Sequence, residues 1–258
     1  MPRRHRLFPC APTLALALAL GLCAGAGAAA AASAVPLVPA RHGDFGHYTF
    51  ALTWQPGFCS TDGGCLREQP RDVLIGLHGL WAARPRSLIE RRISAPQWWR
   101  HGCDYYHHSD RAPRLPAAML ARLDHDMPHL RDPLLKHEYD KHVQCFGFDT
   151  ATFFRTELGM RRRVLESAFG RYLIHTAQGR QVRHEDVIGA FMRAFGTRQA
   201  AALQLRCGRN RRGEVVLTQL WFTLHTDSTS RFPRGHSLMN APIPQDNCPQ
   251  RFWVPRWP

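Results

Sequence analysis

The sequence predicts a single α+β domain built mainly on an antiparallel sheet packed with several helices. Residues 45–54 (FGHYTFALTW) alternate and are rich in aromatic and β-branched side chains, which is typical of a strand. Residues 201–207 and 214–225 predict two more strands, joined as a hairpin by the turn GRNRRG. Residues 184–195 carry apolar side chains at spacings of three and four, which predicts an amphipathic helix. We find no internal repeat and no linker that divides the chain after its first 34 residues.

The remaining elements are predicted in the same way. Residues 72–81 contain a continuous apolar run, typical of a buried strand, which His78 interrupts near its end. Residues 82–116 are rich in Pro, Arg, His and aromatic residues and predict loops with short helices. Residues 115–126 and 149–169 predict one helix each. The Pro- and Trp-rich tail shows no clear period.

The first 34 residues predict a secretory signal peptide. They begin with a cluster of arginines, continue through an apolar run and end in Ala32-Ser33-Ala34. The apolar run is too short to span a bilayer comfortably, which disfavours an uncleaved membrane anchor. Cleavage would leave residues 35–258 as a periplasmic or extracellular protein. No later segment predicts a membrane span, and a monomer is the simplest expectation.

The cysteines agree with export. Eight are present, and two of them lie within the predicted signal. An even number in an exported chain predicts disulfides, although spacing alone does not choose the pairs. The CxxC spacing of structural zinc sites does not occur among them. The six that remain are Cys59, Cys65, Cys103, Cys145, Cys207 and Cys248.

The charge balance predicts a polyanionic partner. The chain has 34 Lys+Arg against 20 Asp+Glu, a formal net charge of +14. Such a charge suits nucleic acid, an anionic membrane or an acidic glycan, and does not tell whether the partner is held or cut. Only Lys136 and Lys141 are lysines, so an ammonium at either position calls for an explanation.

Residues 136–145 (KHEYDKHVQC) form the segment richest in candidate catalytic groups. In a helix, Glu138, Lys141 and His142 share one face, and His137 lies one turn from Lys141. A carboxylate, an ammonium and two imidazoles would then lie within reach of a common anion. A zinc-protease site is excluded, because it needs two histidines four residues apart and these are five apart.

This set of groups suits cleavage of a phosphodiester by a neighbouring 2′-hydroxyl. One imidazole takes the hydroxyl proton and another donates a proton to the leaving 5′-oxygen. An ammonium neutralises the charge that grows on the phosphate. The substrate is therefore RNA rather than DNA, and no metal or organic cofactor is required. On spacing alone, a solvated helix surface remains the alternative.

Two segments resemble the active-site motifs of the ribonuclease T2 family. They are IGLHGLW at residues 75–81 and HEYDKHVQC at residues 137–145, in the family's order. The likeness extends over nearly all of the mature chain through ALTWQPGFC, WWRHGC, CFGFD and the late hairpin, and is greatest to bacterial periplasmic members. It implies a single ribonuclease T2-like domain held by disulfides. The implied activity is metal-independent endonucleolytic cleavage of single-stranded RNA by transphosphorylation, which gives 2′,3′-cyclic phosphates.

The resemblance also implies a role for each residue of the motifs. His142 is the expected base towards the 2′-hydroxyl, and His78 the expected acid. His137 is expected to contact phosphate or sugar, while Glu138 and Lys141 support the charged transition state. The implied disulfides are Cys59–Cys65, Cys103–Cys145 and Cys207–Cys248.

Three further expectations concern single positions near the motifs. The resemblance implies that Trp81 offers a ring for stacking a base, whereas the residue types alone allow it to fill the core. Val143 stands where the family has glycine, which could crowd the turn after His142. Ala82 stands where the family has proline, so we expect the base-binding loop to differ from that of the family.

Two other functions are compatible with the sequence. One is a secreted protein of the same fold that binds RNA or another polyanion without cutting it. The other is a metal-dependent nuclease or hydrolase that uses the histidines at 101, 107 and 108, which loop surface explains better.

Overall fold

A computed structural model describes residues 37–61, 63–109 and 111–258. The predicted signal peptide and its boundary at residue 34 lie outside these residues. Within them, the six strands are β1 Tyr48–Trp54, β2 Ile75–Ala82, β3 Arg180–Arg183, β4 Leu203–Arg209, β5 Val215–Leu224 and β6 Arg251–Val254. The α-helices are α1 Gln55–Phe58, α2 Arg86–Glu90, α3 Ala95–His101, α4 Ala117–Asp126, α5 Leu134–His142, α6 Thr150–Glu166, α7 Ala168–Arg171 and α8 His184–Phe195.

The strands form one sheet in the order β2-β1-β5-β6-β3, with β4 paired to β5. Every paired neighbour is antiparallel except β5 and β6, which pair in parallel at Val216 and Trp253. The predicted hairpin is confirmed, because β4 and β5 pair antiparallel around the GRNRRG turn. The fold is therefore the α+β class with a mainly antiparallel sheet that the sequence predicts.

Strand β2 contains a β-bulge at His78. In its ladder with β1, Gly79 faces Ala51 while Leu77 faces Leu52, so His78 is the extra residue. A bulge of this kind redirects the side chains that follow it. Leu77 and Leu80 are both fully buried in the core as a result, although they lie three residues apart.

The core on one face of the sheet is a cluster of phenylalanines centred on Phe222 of β5. Its ring lies 5.5–6.3 Å from five other rings, which come from β1, α7, α8 and the loop after β5. These are Phe50, Phe169, Phe191, Phe195 and Phe232. Helix α8 has the bounds that its periodicity predicts, and it buries Val187, Phe191 and Phe195. Ile188 and Met192 belong to the same apolar pattern and remain half-buried.

Three disulfides are present among the described residues, and they are the pairs that the resemblance implies: Cys59–Cys65, Cys103–Cys145 and Cys207–Cys248. Cys103 lies in the 3-10 turn Gly102–Tyr105, and Cys145 lies in the turn Gln144–Phe146 that follows α5. The second disulfide therefore ties the end of α5 to the loop region that precedes α4.

Several elements differ from the sequence-based expectation. The helix predicted over 149–169 is two helices, because Ser167 has extended backbone and its side chain caps α7 by accepting from the Gly170 amide. Strands β3 and β6 were not predicted, and neither was the single turn α1, which directly follows β1. Within the part of the chain that the structure describes, no helix has both the length and the apolar character needed to cross a membrane.

Candidate active site

One cleft between β2 and α5 collects most of the predicted site residues. Its volume is about 540 Å³, and its floor extends from β2 across β1 and β5 to β4. Strand β2 contributes one histidine and one tryptophan, and α5 contributes two histidines and a glutamate. These five residues are His78, Trp81, His137, Glu138 and His142.

The carboxyl group of Glu138 joins the helix to the strand. Its side chain is 2% exposed, and Trp81 Nε1 donates to its Oε2 at 2.6 Å. Its other oxygen, Oε1, lies 3.4 Å from His78 Nε2. Glu138 therefore sets the position of α5 relative to two side chains of β2.

Two glycines permit this close packing. A Cβ atom at Gly79 would lie 2.0 Å from Glu138 Oε2, so only a residue without a side chain lets the carboxyl reach the strand. Gly102 has a φ of +52°, and a Cβ there would lie 2.3 Å from the carbonyl oxygen of Lys141. The glycines in the HGLW and HGC segments thus allow α5 to approach β2 and the loop after α3.

The imidazoles of His78 and His142 both lie close to the Trp81 indole. The His78 ring is edge-on to it at 5.1 Å between centroids, and the His142 ring lies at 5.6 Å. His137 is 6.2 Å from His142 between ring centroids and is exposed to solvent. Nδ1 of His142 is buried and has no hydrogen-bond partner among the described residues. The cleft therefore presents two imidazoles, with His137 at its entrance.

Burial shifts the pKa values of the groups in the cleft. It lowers the pKa of His78 to about 4, against the opposing effect of a hydrogen bond with Gln219. Burial, and then the positive charges of His137, His78 and Lys141, lower the pKa of His142 well below 6.5. Burial raises the pKa of Glu138 to about 8, opposed by the Trp81 hydrogen bond and by Lys141. At neutral pH the Glu138–His78 contact therefore joins an uncharged acid to an uncharged imidazole, as groups poised for proton transfer often are.

Lys141 does not line the cleft with the other predicted residues. Its Nζ donates to the backbone carbonyl of Arg100 in α3. Its charge still acts on the site, because it lowers the pKa values of both His137 and Glu138. The other lysine, Lys136, forms an ion pair with Asp140 one turn along α5.

Strand β5 adds two residues to the site that were not predicted. The Gln219 side chain raises the pKa of His78, and Trp221 Nε1 donates to Gln219 Oε1 at 2.9 Å. The Trp221 ring is edge-on to Trp81 at 5.1 Å, and Trp221 lines the cleft. The only sequence signal is their spacing of two in a strand, which places both on one face.

One group of residues could hold a divalent cation. His137, Glu138 and His142 offer three ligand atoms that lie within 4.8 Å of one another. Within the described residues, the loop histidines of the metal-dependent alternative form no such group: His101 and His108 instead flank Asp104, at 3.9 and 3.7 Å.

The fold accommodates both residues that differ from the family motif, Val143 and Ala82. Val143 is buried and has a φ of −121°, so the turn after His142 does not require glycine. Ala82 is the last residue of β2 and pairs with Tyr48, so the strand continues where a proline would end it.

Comparisons with known proteins agree on one family. The sequence model described as "Ribonuclease T2 family" matches residues 45–234. Ribonuclease I of Escherichia coli (strain K12) is 28% identical over 250 residues, which cover 86% of this chain and 90% of that protein. RNase NT in complex with 5′-AMP is 18% identical with a TM-score of 0.57, over 82% of this chain and 98% of that one. Japanese pear S3-RNase is 16% identical with a TM-score of 0.57, over 81% and 98%.

Proposed function

The chain belongs to the ribonuclease T2 family and is an endoribonuclease, and we propose that His78 and His142 are the acid and the base of its reaction. The observation that carries this proposal is the placement of the two imidazoles. They come from different elements, each lies within 5.6 Å of the Trp81 ring between centroids, and both line one cleft. Two proton-transfer groups that open onto one cleft can serve the two oxygens of one phosphodiester.

The reaction begins at the ribose 2′-hydroxyl. His142 takes its proton, and the oxygen attacks the adjacent phosphorus. The bond from phosphorus to the 5′-oxygen breaks, and His78 donates a proton to that oxygen. The products are a 2′,3′-cyclic phosphate and a free 5′-hydroxyl. DNA has no 2′-hydroxyl and cannot react by this route.

The neighbouring groups support the charged transition state. The carboxyl of Glu138 lies 3.4 Å from His78 Nε2. When this carboxyl loses its proton, its negative charge stabilises the protonated form of His78. His137 is exposed at the entrance of the cleft, where it can contact phosphate or sugar. Lys141 places a positive charge near the end of α5, and this charge also lowers the pKa of His142. The same charge stabilises negative charge that develops on the phosphate.

The Trp81 ring is proposed to contact a base with its half-exposed part. Its Nε1 is engaged by Glu138, and its ring touches His78, His142 and Trp221. The indole therefore supports the catalytic groups as well as offering a surface to the substrate.

The substrate is single-stranded RNA, and the protein is proposed to meet it outside the cytoplasm as a monomer. Three arginines and no acidic residue lie in residues 1–34, so residues 35–258 keep +11 of the net charge of +14, which favours binding of the phosphate backbone without sequence preference. The basic and apolar features of residues 1–34 and the three disulfides support export through a signal peptide, with residues 35–258 as the catalytic domain.

Cleavage of matched substrates in the presence of a chelator tests the mechanism. We expect the purified protein to cut an RNA oligonucleotide to a cyclic phosphate and to leave the DNA of the same sequence intact. His78→Ala and His142→Ala should each lose about 10²-fold or more in kcat/KM. His101→Ala is the control and should remain active, because His101 is the last residue of α3 and does not line the cleft. Cleavage of the DNA, or wild-type rates in both cleft variants, would refute the assignment.

The same assay separates the two alternatives. A protein that only binds RNA would retain salt-sensitive binding and show no cleavage. A metal-dependent enzyme would lose activity with chelator and regain it with zinc, whether it used the histidines at 101, 107 and 108 or the group His137, Glu138 and His142.

A further inference from the structure

A second cavity continues from the active cleft over the edge of the sheet. It lies between α8 and residues 241–246 and has a volume of about 480 Å³. Gln204 of β4 and Ala241 line both this cavity and the active cleft. A strand of substrate that crosses the sheet from β2 to β4 therefore reaches this cavity next.

The walls of this cavity are apolar, and the polar groups around it already have partners. Ile188, Met192 and Leu203 form part of its surface. His184 Nε2 lies 2.9 Å from Asp246 Oδ2, and Glu185 forms an ion pair with Arg183. The surface therefore suits a flat, largely apolar group better than a charged one.

Gly189 keeps the cavity open. It lies in the middle of α8, where glycine is less favourable than alanine. A Cβ there would meet only the flexible end of the Arg193 side chain, at 3.1 Å, so no backbone contact demands a glycine. The position leaves space in the cavity that a side chain would fill.

Two arginines stand next to the cavity. Arg183 of β3 is directly opposite Arg251 of β6, and both border a polar depression that shares His184 and Glu185 with the cavity. Like charges directly opposite each other destabilise a sheet. Glu185 pairs with Arg183, so the three side chains keep one net positive charge, which a bound phosphate would neutralise.

We propose that this second cavity binds a nucleobase of the RNA strand beyond the bond that is cut, with Arg183 and Arg251 holding the phosphate that follows. The proposal rests on the endoribonuclease activity of the adjoining cleft. The enzyme would then bind a polynucleotide at a second site, separate from its catalytic groups. Extended substrates then bind more tightly than a dinucleotide.

Filling the cavity tests the proposal. We expect Gly189→Leu to raise KM about fivefold for an RNA extended by four nucleotides, which is the lower end of what stacking on an aromatic ring contributes, because the walls here are aliphatic. Its kcat, and its kinetics on a dinucleotide, should be unchanged. The matched control is Gly159→Leu in α6, another helical glycine, where a Cβ meets nothing within 4 Å. Equal KM values for the two folded variants on the extended RNA would overturn the proposal.

Binding measurements separate this proposal from the proposed chemistry. A 2′-deoxy oligonucleotide lacks the nucleophile, so its affinity reports binding alone. We expect Gly189→Leu to weaken it even if the catalytic assignment were wrong. Replacing Arg183 and Arg251 with alanine should lower the slope of log affinity against log salt by about one unit. The pair Arg211 and Arg212, exposed in the β4–β5 turn, is the control. An unchanged slope in the first double variant would refute the phosphate contact.

Discussion

His78 and Trp81 are three residues apart in one strand, and both side chains line the same cleft. In a regular strand their side chains would lie on opposite faces of the sheet. The bulge at His78 removes this conflict, because it shifts the alternation by one residue between His78 and Leu80. The same shift keeps Leu77 and Leu80 in the core. A single irregularity in the ladder thus places the proposed acid beside the indole that holds Glu138.

Gly79→Ala should damage the site more than the fold. The new Cβ would lie 2.0 Å from Glu138 Oε2, so the carboxyl must leave Trp81 or α5 must move. We expect kcat/KM to fall about 10²-fold, since displacements of this size at a catalytic site have such costs. Gly46→Ala, at the rim of the cleft with nothing within 4 Å, should match wild type. Full activity of Gly79→Ala would show that the Glu138 contact is dispensable.

The two lysines allow a direct test of the proposed ammonium. Lys141→Ala should lower kcat about 10²-fold with little change in Tm, because it removes charge that supports the transition state. Lys136→Ala is the matched control, since that exposed side chain on the same helix pairs with Asp140. We expect it to change kcat less than twofold. Equal effects of the two substitutions would remove Lys141 from the mechanism.

The pH profile should reflect the lowered histidine pKa values. The productive form has His78 protonated and His142 neutral, and burial lowers the pKa of both, that of His78 to about 4. Protonated His78 becomes scarcer as the pH rises above its pKa, so kcat/KM should fall on going from pH 5 to pH 8. Steady-state kinetics on a dinucleotide, with folding checked at each pH by circular dichroism, measures this limb. A rate that climbs through this range would contradict the assignment of His78 as the acid.

The Cys103–Cys145 disulfide should support both stability and activity. Replacing both cysteines with alanine should lower the free energy of unfolding by about 2–5 kcal/mol. It should also reduce kcat, because Cys145 follows α5 directly and the link fixes the end of that helix. The control is the pair Cys59 and Cys65, which closes a much shorter loop. Thermal unfolding and kinetics of both double variants give the comparison; an equal effect on kcat would argue against a special role for the second link.

Much of the site was predictable because its residues lie in two short segments. A helix over residues 137–142 puts Glu138 and His142 on one face by local geometry, and the family resemblance adds His78 and the disulfide pairs. Gln219 was not predictable, because its contact with His78 depends on which strands pair and in which register. The hydrogen bond from the Lys141 ammonium to the carbonyl oxygen of Arg100 was not predictable either, because Arg100 is distant in sequence.

The fold shows the same division between local and distant causes. Helix α8 matches its prediction residue by residue, since its pattern extends over three turns. Strands β3 and β6 have four residues each, too few to establish an alternation, and they exist because they pair with each other. The bulge at His78 does have a signal in the local sequence. A histidine and a tryptophan three apart, separated by a glycine and a leucine, cannot both face one side of a regular strand.

The link between Cys103 and Cys145 also bears on when the enzyme becomes active. Thiols stay reduced in the cytosol, so a chain held there would lack the covalent tie between its catalytic helix and the loop after α3. If the chain is exported as proposed, oxidation and arrival outside the cytosol coincide. The producing cell's own transcripts would then meet only the reduced chain, whose catalytic helix lacks this covalent tie.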